Sequence, residues 1–445
     1  MARSSSPSFE IDDDRIAWIT FDDPDRSANV LTADVMLRLG ETLDEARGAV
    51  REGRARALVL RSAKRSSFIA GADVDAIADV EDPNVAREQV RTGQSIYDDL
   101  ASLPIPTVAA IHGFCVGGGV EMSLACDYRV VSDWEKTTLS LPEVQLGILP
   151  AWGGTTRLPR LVSLQAALDM LLTGKKVGTR KARRIGLASE ILPADLFHEA
   201  TRTFTLAVLE DPAHGAPKKP PFLTRLVEAT PPGRKIVLRA ARKRVMEKTG
   251  GHYPAPLRIL DILDEYLSKS VEESLAAEAT AAAELVVSQV CKNLIHVFHM
   301  REAARKGTGV GEDVEVEARK VDQVGVLGAG VMGGGIAQLV ASRGRRVYMK
   351  DIRHDAVSGG LQHAQALVDK AVSRRKLTKR EGSKLMERIS GGLEYQGLSA
   401  ADLVVEAIVE KMEVKKTVLA ETEKHVSPEC VIATNTSSLS VDEMA

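Results

Sequence analysis

Cysteine is scarce in this chain. Cys115, Cys126, Cys291 and Cys430 are the only four in 445 residues, and none stands in a Cys-x-x-Cys pair. That spacing argues against a disulfide framework or a zinc site and fits a reducing compartment. Aromatic residues make up 4% of the sequence, too few for platforms on which nucleic-acid bases stack. Neither sign of charge dominates. The formal net charge is −2, so no overall field draws the chain to nucleic acid or to an acidic membrane surface. Long apolar runs are missing too; none reaches the ~18 residues of a membrane-spanning helix. The opening stretch "MARSSSPSFEIDDDR" has no apolar segment of the secretory kind. His296 and His299 sit three apart, as metal ligands do, but no third ligand lies near them in sequence, so no metal is expected. These absences leave a soluble, cytoplasmic enzyme with no transmembrane segment and no nucleic-acid partner.

What is present is alternating strand and helix signal. A chain of 445 residues exceeds one ordinary domain, and two or three are expected. Over the first 190 residues, short apolar strands such as "RIAWITF", "ARALVLRS" and "PIPTVAAIHG" alternate with helical stretches. Among the helices is "TADVMLRLGETLDEARGA", with Thr32 as its N-cap. This is an α/β pattern of short repeating units. From 196 to 310 the chain reads as a helical extension and linker. It holds "LFHEATRTFTLAVLED", a basic helix "RKIVLRAARKRVMEK" whose charges read as solvated surface, and one long alanine-rich helix from Val271 to Lys306. The stretch "GTGVGEDVEVEAR" reads as a linker. A further domain runs from 311 to 445.

Three segments of the first domain, residues 1–195, carry chemistry: "SSFIAGADV", "IHGFCVGGGVEMSLACDYRV" and "LSLPEVQLGILPAWGGTTRLPR". A strand, a glycine turn and a helix start expose backbone N–H groups with no partner in the helix. Such donors suit an oxygen that gains negative charge during reaction, and two aimed at one point make an oxyanion hole. Glu121 follows the three glycines on the first turn of the helix, and Glu143 follows a proline on a loop. Each alone reads as a helix-capping or loop acid. Together, in apolar and glycine-rich company, they form a pair that can divide the addition of water across a double bond.

These segments resemble the crotonase (enoyl-CoA hydratase/isomerase) superfamily, over roughly residues 10 to 195. The resemblance implies a spiral of ββα units and an oxyanion hole from the backbone N–H groups of Ala70 and Gly118. It also implies that Glu121 activates the water and Glu143 supplies the proton to C2 of a coenzyme A thioester substrate. Trp152, where small residues are usual before "GGT", departs from the family pattern; it shapes the acyl or CoA channel or simply fills space.

The second constellation is "GAGVMG", with Gly328, Gly330 and Gly333. The strand "DQVGVLG" precedes it, a helix follows, and the next strand ends in Asp351, 21 residues beyond Gly330. This series suits NAD, with Asp351 accepting from the ribose hydroxyls. With "ADLVVEAIVEKMEVKK" and "CVIATNTSSLS", it resembles the NAD domain of the 3-hydroxyacyl-CoA dehydrogenases, a doubly wound Rossmann fold present here in part. The resemblance implies that Met332, Asp351, Glu410 and Lys415 contact or border NAD. It implies that Ser437 reaches towards the substrate hydroxyl and the nicotinamide of NAD.

The order hydratase, helical linker, dehydrogenase resembles the α-subunits of fatty-acid β-oxidation multienzyme complexes. That implies acyl-CoA substrates and a thiolase β-subunit partner in an α2β2 assembly. In that family the dehydrogenase base is a histidine about twenty residues after the "NTSS" serine, and this chain stops eight residues after Ser437. A second active site incomplete within these residues is therefore expected. The expectation for the first site is hydration of trans-2-enoyl-CoA. The alternatives are a Δ3–Δ2 enoyl-CoA isomerase, which depends on one glutamate only, and a non-catalytic scaffold that binds CoA and NAD.

Overall fold

The computed structural model describes residues 6–218, 221–307, 309, 317–374 and 376–445. Chain contacts divide the protein into two compact units, Met1–Gly307 and Thr308–Ala445. Most of the linker "GTGVGEDVEVEAR", and the expected boundary at 311, lie outside the described residues.

Among the described residues, the first unit has ten strands. They are β1 (Ser8–Ile11), β2 (Ile16–Phe21), β3 (Ala57–Ser62), β4 (Ser67–Ile69), β5 (Thr107–Ile111), β6 (Phe114–Val116), β7 (Tyr128–Ser132), β8 (Thr138–Ser140), β9 (Val177–Gly178) and β10 (Glu190–Leu192). A six-stranded sheet has the order β1-β2-β3-β5-β7-β10, and a four-stranded sheet has the order β4-β6-β8-β9. The pairs β3–β4, β5–β6 and β7–β8 each send their first strand to the larger sheet and their second to the smaller one. Helices follow each pair: α2 (Val74–Ala78) and α3 (Pro83–Ala101) after β4, α4 (Gly118–Ala125) after β6, and α5 (Gly154–Leu161) and α6 (Leu164–Leu171) after β8. The result is the expected spiral of ββα units. Helix α1 (Ala33–Arg51) precedes it, with Thr32 accepting from the Val35 amide as its cap.

The larger sheet is covered on both faces, so its strands read as near-continuous apolar runs. Ala17, Ile19 and Phe21 of β2 face the main core, while Ile16 and Trp18 face the other way. On that far side they meet Phe204 and Val208 of a helix that follows α7 (Thr179–Ile185), namely α8 (Phe197–Glu210). One face thus packs against the spiral and the other against the start of the helical extension.

The extension continues with α9 (Phe222–Ala229), α10 (Pro231–Thr249), α11 (Pro254–Tyr266), α12 (Val271–Val286) and α13 (Gln289–Lys306). The single alanine-rich helix expected from Val271 to Lys306 is in fact two. The backbone of Ser288 is extended and its hydroxyl accepts from the Cys291 amide, so it starts α13 as an N-cap. A capping box of Ser270 and Glu273 starts α12. Both helices pack onto the spiral rather than standing apart as a linker: buried Leu285 and Ile295 join the main core. No helix among the described residues is long and apolar enough to cross a membrane.

The second unit has five parallel strands, β11 (Gln323–Leu327), β12 (Arg346–Lys350), β13 (Ile389–Gly392), β14 (Leu403–Glu406) and β15 (Val431–Thr434), in the order β13-β12-β11-β14-β15. Its helices are α14 (Val331–Ser342), α15 (His354–Ser373), α16 (Lys379–Met386), α17 (Met412–Glu423) and α18 (Val441–Met444). The chain leaves β11 towards β12 on one side and later returns to β14 on the other. That reversal is the switch point at which doubly wound sheets bind nucleotides.

Candidate active site

The turn from β6 into α4 sets the geometry of the first site. Gly117 has φ +55 and ψ −126, a conformation open to glycine and strained for other residues. A Cβ at Gly117 would lie 2.7 Å from Oε1 of Glu143, and one at Gly118 would lie 2.9 Å from both Leu31 and the ring of Trp152. The glycines therefore make room for the second glutamate and for the indole, beyond allowing the turn. The Tyr97 hydroxyl fixes the turn by donating to the Gly118 carbonyl at 2.8 Å.

Glu121, on the first turn of α4, is buried. It does not cap its own helix. Its Oε1 accepts from the amides of Trp152, at 2.7 Å, and Gly154, at 2.8 Å, at the start of α5. Glu143 begins a single 3-10 turn, Glu143–Leu146, closed by Gly147 at φ +77. Its carboxyl end is enclosed, and Oε2 has no hydrogen-bond partner among the described residues. Burial pushes Glu121 up to about 7, against the pull of the Gly154 and Trp152 amides and of Arg157. Burial, and then the negative charge of Glu121, push Glu143 well above the ordinary carboxylate range. Two carboxyls whose environments separate their proton affinities suit one base and one acid.

The structure changes the reading of the oxyanion hole. The Ala70 amide donates to the Asn29 carbonyl at 2.8 Å, so it is occupied. Two residues on, Ala72 forms an isolated bridge with Leu31, in which the Gly71 carbonyl accepts from the Leu31 amide. The Ala72 amide itself makes no hydrogen bond among the described residues. A Cβ on Gly71 would touch the Val116 carbonyl at 3.4 Å, which places this loop against the turn that carries Gly118. The amide of Gly118, first residue of α4, is likewise without a backbone partner among the described residues. The open pair is thus Ala72 with Gly118. Sequence reading missed this because the partner of Ala70 comes from a loop some 40 residues earlier.

Trp152 packs edge-on against Tyr97 with ring centroids 5.8 Å apart, and its indole lies against Gly93 of α3. It forms a wall beside the glycine turn. His299 faces Asp75 at 3.3 Å instead of joining His296.

In the second unit, Gly328 (φ +91) turns the chain after β11, and a Cβ there would strike the Ala407 carbonyl. Gly333 lets α14 pass directly over the Gly328 carbonyl, whereas Gly330, the N-cap of α14, faces open space. Val331 and Met332 beside it are exposed. An open helix N-terminus over a glycine turn suits a pyrophosphate. Asp351 follows β12; its Oδ2 accepts from the Ala329 amide at 2.8 Å and its Oδ1 from Ile352. Each carboxylate oxygen retains a lone pair for a ribose hydroxyl. The residues present fit NAD.

Lys415 is buried, 2.7 Å from Glu406 and 3.1 Å from Glu410. Burial alone would lower its pKa; the two carboxylates outweigh that and raise it. Glu410 also accepts from Thr436 and Ser438, on either side of exposed Ser437, and so anchors the loop after β15. Glu406, which sequence reading did not single out, is the fully buried hub here; it also accepts from Thr434 at 2.6 Å. A lone acid inside the apolar strand "DLVVEA" was the available signal.

A family profile described as enoyl-CoA hydratase/isomerase matches residues 12–252. One described as 3-hydroxyacyl-CoA dehydrogenase, NAD binding domain, matches residues 323–445. A fatty acid oxidation complex subunit alpha from Shewanella amazonensis is 39% identical over 434 residues, 97% of this chain and 60% of that protein. The protein of the same name from Vibrio vulnificus is 36% identical, over 100% of this chain and 62% of its own. The chain thus spans about three fifths of the length of these relatives. Among solved structures, an enoyl-CoA hydratase from Bacillus halodurans aligns with a TM-score of 0.48 and 22% identity, over 65% of this chain and 98% of that one.

Proposed function

This chain belongs to the enoyl-CoA hydratase/isomerase family, and from that premise we propose that its first unit adds water to a trans-2-enoyl-CoA. The observation that carries the reading is buried Glu121 together with half-buried Glu143, whose Oε2 is enclosed, beside two open amides. The thioester carbonyl lies between the N–H groups of Ala72 and Gly118. Glu121, the more readily ionised of the two, takes a proton from water as the oxygen bonds to C3. Negative charge moves to the carbonyl oxygen, where the two amides stabilise it. Glu143, kept protonated by burial, delivers its proton to C2 as the double bond re-forms at the carbonyl. The 3-hydroxyacyl-CoA product has gained one water, and the two carboxyls have exchanged protonation states; proton transfer through solvent restores them.

The second unit binds NAD on this reading, through Gly328, Gly330, Met332, Gly333 and Asp351, with Lys415 and Glu410 holding the adjacent loop and Ser437 exposed upon it. When bound, NAD supplies the hydride acceptor for oxidation of a 3-hydroxyacyl-CoA. We extend the reading to a fatty-acid β-oxidation α-subunit with a thiolase β-subunit as partner. A cytoplasmic location accords with four unpaired cysteines.

The test follows the absorbance of the conjugated enoyl thioester after protein is added. Loss of absorbance that collapses in both Glu121→Gln and Glu143→Gln is the expected result. Wild-type turnover in both variants defeats the mechanism. Activity on 3-enoyl-CoA that depends on one glutamate alone points instead to the isomerase.

A further inference from the structure

A third buried carboxyl stands beside the pair. Glu278 lies on α12, beyond the residues that the hydratase family profile matches, and it is completely buried. Its Oε2 accepts from the Gly153 amide at 3.0 Å, and its Oε1 has no hydrogen-bond partner. Gly153 sits between Trp152 and Gly154, whose amides hold Glu121. Three consecutive amides are therefore shared alternately between two carboxyls: the outer two serve Glu121, and the middle one serves Glu278. Gly153 has φ +108, so this alternation depends on a backbone state that is not self-sustaining for most sequences. Two further contacts tie α12 to the same turn. Gln94 of α3 donates to the carbonyls of Ala151 and Leu275, and Thr156 donates to the Ser274 hydroxyl.

We propose that Glu278 is a positioning residue of the hydratase site: it holds the Gly153 amide from the far side of the turn and thereby sets the flanking amides on which Glu121 depends. The inference rests on the hydratase reading above. Glu278 acts as the uncharged acid. The ionisable groups acting on it are Glu121 on α4 and Arg157 and Arg160 on α5; Asp98 of α3 already pairs with Arg157. Burial, with Glu121 adding to it, pushes Glu278 up to about 8 despite the opposing Thr156, Arg157 and Gly153. An anion here would set a second negative charge against ionisation of the base. A neutral acid supplies the acceptor without that charge.

The test compares Glu278→Leu, Glu278→Gln and Glu278→Asp with wild type in steady-state hydration across pH. Thr280→Ala, at an exposed position of the same helix whose hydroxyl donates to the Ala276 carbonyl, serves as a control. In Glu278→Leu, kcat falls about tenfold or more while KM stays within about twofold. Its acid limb moves to higher pH, because Glu121 has lost amides that favour its anion. Glu278→Gln, which keeps a neutral acceptor, restores kcat and the limb. Thr280→Ala remains as wild type. Wild-type kcat and pH profile in Glu278→Leu overturn the proposal, as does an equal loss in Thr280→Ala. A Gln variant whose acid limb drops by a unit or more overturns the neutral acid. If the Leu variant does not fold, the Asp variant decides, since it withdraws the acid by one methylene. Its kcat must fall at unchanged Tm, and wild-type turnover there overturns the proposal. A wild-type protein with no hydration at all defeats the hydratase reading instead.

Discussion

At the scale of the residue, the two carboxyls of the proposed site differ in what surrounds them. Glu121 has two amides and Arg157 to favour its anion, while Glu143 has an unpartnered oxygen and a negative neighbour. Their proton affinities are therefore ordered, with that of Glu121 the lower, which suits Glu121 to the base's part in the proposed hydration. A pH profile of kcat/KM in the hydration assay checks the sign. Activity falls with one proton as pH drops through about 7, because Glu121 is then neutral. It falls again at higher pH as Glu143 loses the proton it must give. These limbs belong to the pair as a unit. An acid limb near 4.5 shows that Glu121 is not desolvated in solution. Gly117 gives a second expectation. Gly117→Ala combines a left-handed backbone with a methyl 2.7 Å from Oε1 of Glu143. Turnover drops by about 10² or more with the fold retained by circular dichroism, because Glu143 must move.

The two glutamates were legible in the sequence because a glycine turn and a proline turn place them within a few residues of the backbone that matters. The oxyanion donor was not. Ala70 and Ala72 have the same side chain in the same loop, and only the long-range partner Asn29 tells them apart.

At the scale of the element, helices α12 and α13 support both segments that bear on the paired glutamates. Glu278 on α12 reaches the turn that holds Glu121. Gly147, which ends the Glu143 turn, lies against α13, where a Cβ would meet the Cys291 backbone at 3.1 Å. Lys292 on α13 donates to the carbonyls of Ala78 and Val80. Periodicity showed helix from Val271 to Lys306, but the Ser288 cap was lost within an otherwise helical composition. The acid at 278 was not singled out, since its burial depends on α3 and α5, far away in sequence.

Proton linkage offers a check on stability. Glu278 has a native value of about 8 against an ordinary 4.5. Its contribution to stability is complete below 4.5 and is lost as pH rises through about 8, where the native protein must release a proton that the unfolded chain released earlier. Glu278→Gln has no such dependence. The Tm of the variant minus that of wild type therefore grows between pH 5 and 8 in calorimetric scans. A constant difference shows that Glu278 is not buried as an acid. In the second unit, Lys415→Met leaves Glu406 fully buried without its cation, and costs about 3–5 kcal/mol in denaturant unfolding.

At the scale of the whole molecule, the two units were visible as a change from ββα repeats to helices and then to a glycine fingerprint. The order β13-β12-β11-β14-β15 places the reversal of the chain's direction of travel at β11. The first compact unit runs on to Gly307. The expected hydratase core ended at residue 195, and the family profile ends at 252. The buried contacts continue through Cys291 and Ile295. A chain cut after residue 252 keeps both sheets and both glutamates, yet its hydration rate falls by about 10² or more when assayed beside the intact protein. Retained turnover shows that α12 and α13 are dispensable.

The close approach of Gly147 to Cys291 carries this further. It puts a seam of shared ancestry and a seam of function at different places in one polypeptide. Anyone who grafts the first unit onto another protein, or exchanges the second unit for a different domain, should make the join after α13, because an earlier join would separate each glutamate from the helix that braces it.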